Sequence, residues 1–437
     1  MNRLITFIFF LAPAWSLFAQ PLDKLIREKD ITRVLQTLCA DEMMGRPAAQ
    51  PERIEPAAKF LEKEFRSIGL QFMPGLNSYR QAFDKTRISP KSASVVIDGK
   101  TIDNGDLMVI SERSRIRMNA GMTVVTIAAD TSVKNKMAYF FGKVRALARD
   151  TTPALVLVDP SFRAEFDRLR GFYRQRFTSG QPGTRILVIG TSAAAEYSVA
   201  IDQEISTVKM SNIVGMIPGR SRREELVVFS GHYDHIGILE PVAGDSIANG
   251  ADDDASGTTA VVTLARYFKK LGPQERTLVF AAFTAEEIGG FGSVHFSKQL
   301  DPEKVVAMFN IEMIGKESKF GRNAAFITGF EKSDFGELLQ RNLAGTPFTF
   351  HPDPYPQQDL FYRSDNATLA RLGVPAHTIS TDQIDTDKLY HSVDDEFASM
   401  DIGNISATIR AIALSARGMV SGKDTPRRVD KKEIRGN

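Results

Sequence analysis

One stretch constrains this chain more than any other, Leu226 to Gly257. An apolar run, Leu226-Val227-Val228-Phe229, reaches Gly231 and gives way at once to His232, Asp234 and His235. A short run of this kind is a strand buried in the middle of an α/β sheet. Further on, Asp252, Asp253 and Asp254 stand in a row, and Ser256 and Gly257 open a helical pattern through Val261, Leu264, Ala265 and Phe268. Carboxylates crowded at the end of a buried strand repel one another unless a cation lies among them. A histidine and an aspartate at that place point to a divalent metal.

Two later stretches repeat the arrangement. Arg276 to Phe283 reads as a strand and runs into Glu286 and Glu287; Val305 to Ile311 reads as another and ends at Glu312. In an open parallel sheet, sites form outside the carboxyl ends of the strands. His232, Glu286, Glu287 and Glu312 are therefore expected on one edge, with Asp253 reaching it from the loop after the first strand. His391, in Leu-Tyr-His-Ser-Val-Asp-Asp, adds a second imidazole. Two imidazoles and several carboxylates suit zinc.

These motifs, in this order, resemble the di-zinc aminopeptidase family that includes bacterial leucyl aminopeptidases and, more distantly, glutamate carboxypeptidase II. The resemblance rests on His232-x-Asp234, on Asp253-Asp254-x-Ser256-Gly257, on Glu286-Glu287, on Glu312-Met313-Ile314-Gly315 and on Tyr390-His391. It covers residues 211–421, with a second patch near 35–70 that includes Gly45-Arg46. Glu312 stands where the family usually has Asp. The resemblance implies a mixed, mostly parallel sheet with helices on both faces, and two zinc ions per chain. Asp253 would bridge the ions, and His232, Glu312, Glu287 and His391 would complete their shells. It also implies a cis peptide bond between Asp253 and Asp254.

In the reaction that the resemblance implies, Glu286 is the general base for a water between the ions. Asp234 is expected to accept the second ring N–H of His232. Tyr390 is a candidate donor to the developing oxyanion, with a packed aromatic as the plain alternative. The other four histidines, His235 among them, read as ordinary structural residues. Substrates would be peptides cut at the amino end. A glutaminyl cyclase with one zinc, or a binding domain with none, fits the same scaffold, so metal content separates the three. A carboxypeptidase is a further alternative. Arg363 bears on it, either as a ligand for a substrate carboxylate or as an ion-pair partner of Asp365.

With 437 residues the chain is too long for one core. Residues 1–19 read as a signal peptide, with Arg3, an apolar stretch to Phe18 and the small Ala19. The mature protein would be periplasmic or secreted, without stable membrane association. Helices of the peptidase domain follow over 20–75, where Gly69 is placed to cap one. Residues 76–210 read as an inserted smaller α/β domain that resembles the protease-associated insert of this family, with an arginine cluster (Arg163, Arg168, Arg170, Arg174, Arg176) that reads as a solvated face. The catalytic domain resumes over 211–422, where the proline-punctuated loop His351–Pro356 is expected to border a pocket. Residues 423–437 read as a disordered basic tail. A net charge of +2 gives no sign of a nucleic-acid partner, and the single Cys39 excludes an internal disulfide.

Overall fold

The computed structural model describes residues 22–434, apart from 131, 134, 175 and 179–182. The leader expected over residues 1–19 lies outside the described residues. The chain divides at Gln81/Ala82 and at Met210/Ser211, so the inserted unit is Ala82–Met210. Among the described residues no helix is long and apolar enough to cross a membrane.

The larger unit is built on a mostly parallel sheet. Its central strand, Arg222–His232, is flanked in parallel by Arg276–Phe283 and Val305–Ile311, and Ala376–Ser380 continues the parallel order beyond Val305–Ile311. Ala324–Ile327 pairs antiparallel with Ala376–Ser380 and parallel with Thr349–Pro352. On the other side, residues 213–217 pair antiparallel with Arg276–Phe283. Strands Arg276–Phe283 and Val305–Ile311 are buried along their whole length. This explains why their apolar residues run on consecutive positions, apart from Arg276, Thr277 and Asn310: a strand covered on both faces shows no alternation.

Alternate residues of the central strand face opposite layers. Val228 joins Phe296 of helix Phe291–Lys298 and Leu369 of helix Asn366–Ala370 in one core. Phe229 packs instead on Phe268 of helix Gly257–Leu271, with ring centroids 5.3 Å apart, and stacks on Phe280 and Phe309 of the neighbouring strands. Helix Pro51–Ile68 buries Ala57, Ala58, Leu61 and Phe65 and ends at Gly69, whose φ of 76° supplies the left-handed cap.

The carboxyl-terminal segment corrects the expectation of a disordered tail. Val429 and Ile434 are buried in the core that contains Val228. The Arg276 guanidinium donates to the Met419 and Asp424 carbonyl oxygens and to Thr425 Oγ1. Basic composition hid two apolar anchors spaced too widely to form a pattern. Loop His351–Pro356 also departs from expectation, because Tyr355 turns inward against Phe326 and residues 360–364 border the pocket instead.

In the inserted unit, Leu107–Ile110, Arg185–Ile189, Ala154–Val158 and Thr123–Ile127 form a four-stranded sheet in that order, parallel except at its first pair. Helix Lys136–Arg149 supplies Phe140 and Val144 to its core. Most of the arginine cluster lies on helix Arg163–Arg174, where Arg163 pairs with Asp106 and Asp167.

Candidate metal centre

Three strand ends and two loops deliver the polar residues to one edge of the larger unit. His232 closes the central strand, Glu286 and Glu287 follow Arg276–Phe283, and Glu312 follows Val305–Ile311. Ala285 and Met313, beside these glutamates, hold φ of 61° and 52°. Side-chain-bearing residues adopt this left-handed region only where surroundings enforce it.

Asp254 ties the edge together. Its Oδ2 accepts the His232 amide at 3.0 Å, and its Oδ1 accepts the amides of Gly257 at 3.0 Å and Met313 at 3.1 Å. It thereby caps helix Gly257–Leu271 and locks two strand ends to it. A Cβ at Gly257 would collide with the Ile311 carbonyl and with the Asp254 carboxylate, so only glycine lets the helix come this close. The Asp253–Asp254 peptide bond is cis.

Asp253 is the residue on which the imidazoles converge. His232 Nε2 lies 3.2 Å from its Oδ1, and His391 Nε2 lies 3.2 Å from its Oδ2. His391 Nε2 is also 3.1 Å from Glu287 Oε2. His235 Nδ1 meets Glu287 Oε1 at 2.7 Å and stands 3.8 Å from Asp253 Oδ2. Two donor groups result, His232–Asp253–Glu312 and His235–Asp253–Glu287, with Asp253 common to both. The Nε2 atoms of His232 and His235 are buried and have no hydrogen-bond partner among the described residues. Buried polar atoms without partners cost free energy, and a metal ion is one way to satisfy them.

The electrostatics agree with that reading. Burial pushes Glu312 up to about 7, and Asp253 adds to the rise. Burial also pushes Glu286 well above the usual carboxylate range; His232 opposes this, while Glu312, Asp365 and Glu287 add to it. Asp253 goes the other way: burial would raise it, but the His232 and His391 imidazoles close to its two oxygens hold it well below. Carboxylates this close favour protons over charge unless a cation joins them.

The structure brings together His232, Asp253, Glu286, Glu287, Glu312 and His391. Tyr390 stacks on His391 with centroids 3.9 Å apart and lines the pocket beside the cluster with Asp253, Glu286, Glu312 and Arg363. That pocket encloses about 570 Å³, including the space at its mouth. Arg363 donates to Gln358 Oε1 at 3.2 Å, and no ion pair with Asp365 forms among the described residues. Asp234 needs correction. The His232 ring nitrogen Nδ1 meets the backbone oxygen of Asp234 at 3.1 Å, and the Asp234 carboxylate instead accepts the amides of Glu286 at 3.1 Å and Glu287 at 3.4 Å. The side chain is needed where the next strand ends, and the main chain serves the histidine.

Sequence reasoning missed two residues. In sequence His235 looks like an ordinary structural histidine, although it stands three positions after His232, a spacing that returns a side chain to the same loop. Arg46 was part of a motif without a role. Its fully buried guanidinium donates to the carbonyl oxygens of Leu38, Tyr233, Asn249 and Gly250.

The larger unit is thus an open α/β sheet with a histidine–carboxylate cluster at its strand ends. Residues 212–416 match the sequence profile of Peptidase family M28. It is 30% identical over 208 residues to leucine aminopeptidase 1 of Pyrenophora tritici-repentis, covering 44% of this chain and 51% of that protein. It is 34% identical over 113 residues to a probable zinc metalloprotease of Leptosphaeria maculans, covering 25% of this chain and 26% of that protein. The matches thus span about half and about a quarter of those relatives' lengths. The fold is shared with the aminopeptidase of Aneurinibacillus sp. strain AM-1 (TM-score 0.57, 16% identity, 95% of this chain and 98% of that one). A zinc aminopeptidase of Bacillus subtilis is similar (TM-score 0.54, 13% identity, 94% and 99%).

Proposed function

We propose that this protein is a zinc-dependent aminopeptidase that removes amino-terminal residues from peptides, and that it works with two zinc ions. The observation that carries the reading is the pair of donor groups sharing Asp253, with Glu286 beside them and in the same pocket. His232, Asp253 and Glu312 would hold one ion; Asp253, Glu287 and His391 the other, with His235 steadying the remaining oxygen of Glu287. Bound zinc supplies polarisation of a peptide carbonyl and acidification of a water. The names of the similar proteins, leucine aminopeptidase and zinc metalloprotease, support the same class.

The chain's own groups divide the remaining work. Glu286 takes the proton from the attacking water and returns it to the leaving amine. Tyr390, which lines the same pocket, would donate its hydroxyl to the developing oxyanion. Asp234 fixes the start of the Glu286–Glu287 turn through two amides, so that one side chain serves the water and the next a metal. The apolar leader read over residues 1–19 supports export.

The test uses peptides blocked at either end and the variant Glu286→Gln. The reading expects cleavage only when the amino terminus is free, two zinc ions per chain by elemental analysis, and a loss of at least 10³-fold in turnover for the variant at unchanged zinc content. Cleavage only when the carboxyl terminus is free would make it a carboxypeptidase. A single zinc with no hydrolysis would favour the cyclase.

A further inference from the structure

The pocket next to the cluster has a feature the proposed chemistry does not use. Met313, Phe326, Leu360 and Ile384 give it apolar walls, and Asp382 also lines it. Asp382 is only 3% exposed. Neither of its carboxylate oxygens has a hydrogen-bond donor among the described residues. Burying a carboxylate without a partner is costly, so a buried acid with two idle acceptors in an open pocket is suited to a ligand that brings the donors.

The surroundings supply no such donor. Asp382 lies within metal-ligand reach of Asp252 and Asp387, but these are acids too, and a carboxylate offers another no donor when both are charged. The nearby ammonium is already engaged: Lys316 Nζ lies 2.6 Å from Asp387 and 3.4 Å from Asp252. Three carboxylates therefore share one cation. Burial, followed by the charges of Asp252 and Asp387 and a hydrogen bond to Asp387, pushes Asp382 up to about 9, and Lys316 only partly opposes this, so without a ligand the carboxyl keeps a proton that an incoming cation would displace. Arg363 lines the same pocket, but its charge bears on the Tyr390 hydroxyl. The other acids of the pocket, Asp253, Glu286 and Glu312, belong to the metal cluster. Asp382 is the pocket carboxylate outside it.

We propose that Asp382 is a specificity residue that selects substrates whose amino-terminal side chain ends in a cation, lysine or arginine. The apolar walls take the aliphatic stem of such a side chain, and the acid takes its ammonium or guanidinium in a charge-assisted hydrogen bond. A leucine or norleucine side chain fills the same walls but leaves the acid unpaired. Sites with a buried polar group reject the analogue that cannot satisfy it. This inference rests on the aminopeptidase reading for its location, and it names the substrate class of the same site.

The experiment compares kcat/KM for lysyl, arginyl and norleucyl anilides on the zinc-loaded protein and on Asp382→Asn. The expected result is a lysine-to-norleucine ratio of at least tenfold in the wild type that falls at least tenfold in the variant. Calorimetry with L-lysinamide and L-norleucinamide gives a second readout that needs no turnover; tighter binding of lysinamide by tenfold or more, lost in Asp382→Asn, is expected. If no anilide is cleaved, the aminopeptidase reading fails while calorimetry still decides the role of Asp382. Equal affinity for the two amides, or a ratio that the variant leaves unchanged, overturns the proposal. Should Asp382→Asn fold poorly, Asp382→Ser serves, and wild-type preference for norleucine alone is sufficient to overturn it.

Discussion

Arg46 donates through Nη2 to the carbonyl oxygen of Gly250 at 2.8 Å, across 204 positions of sequence that include the whole inserted unit. The same guanidinium holds the Tyr233 carbonyl at 2.8 Å. It therefore pins the loop after His232 to the loop before Asp253, so that two candidate ligands are set by one side chain from the amino-terminal segment. Arg46→Met would leave four buried carbonyls without their donor, at about 1–3 kcal/mol for each group left unsatisfied. The expected outcome is a loss of roughly 3 kcal/mol or more in stability, together with weaker zinc binding, read by denaturant unfolding and by competition with a chelator. Unfolding that matches the wild type would show that water replaces the guanidinium without cost.

Histidines 235 and 391 meet different oxygens of Glu287, at 2.7 Å and 3.1 Å. His391 also reaches Asp253 at 3.2 Å, whereas His235 stands at 3.8 Å. His391→Ala should therefore lose about one zinc per chain, as removal of a direct ligand does. His235→Ala should keep both ions and bind the second roughly 10–100-fold more weakly, the usual cost of losing a residue that orients a ligand. His232→Ala should lose one ion, as His391→Ala does. Elemental analysis after dialysis against graded chelator separates these outcomes; the reverse pattern would make His235 the ligand.

The sheet and most of the site were legible because the same residues serve both. A strand buried on both faces must be apolar throughout, and its polar continuation must then be a site, so Phe229 and His232 could be read together. His235 and Arg46 were not legible, since a lone histidine or arginine looks the same whether it holds a ligand, a carbonyl or nothing. Asp234 was placed correctly but given the wrong partner, because spacing reports neighbourhood and not which oxygen faces which donor. Val429 and Ile434 escaped notice because their burial depends on a core assembled from distant segments. Asp382 is silent for the same reason: nothing in Ser-Thr-Asp-Gln says that its carboxylate is buried without a partner.

His377 sets a pH dependence away from the cluster. Burial lowers its pKa to about 4, with the Thr328 carbonyl partly opposing the fall, and the ring is fixed in place by Thr328, Ser333 and the stacked Phe335. The unfolded chain protonates this histidine near 6.5. Between those values the unfolded state binds one more proton than the folded state, so stability rises with pH there. The contribution is fully present above about pH 6.5 and is lost as pH falls towards 4, at up to about 1.4 kcal/mol per pH unit. His377→Gln should flatten this part of the stability curve, measured by denaturant unfolding from pH 7 down to pH 4.5. An unchanged slope would assign the acid sensitivity to other groups.

Two glycine substitutions should act in opposite directions. At Gly257 a methyl group would meet the Ile311 carbonyl and the Asp254 carboxylate, and both neighbours are fixed, one by the sheet and the other by its bonds to His232 and Met313. Neither can yield without moving a strand end, so Gly257→Ala should cost roughly 2–3 kcal/mol, in the range of overpacked cores. Because Asp254 aligns His232, the variant should also bind zinc more weakly than a surface change of equal size. Gly142 lies inside helix Lys136–Arg149 of the inserted unit, and a Cβ there meets nothing within 4 Å. Gly142→Ala removes a flexible residue from a helix and should stabilise that unit by about 0.5–1 kcal/mol without altering zinc binding. Thermal unfolding followed with a zinc titration tests both variants. If Gly257→Ala retained wild-type stability and zinc affinity, the contact between the helix start and the strand end would not be what aligns the cluster.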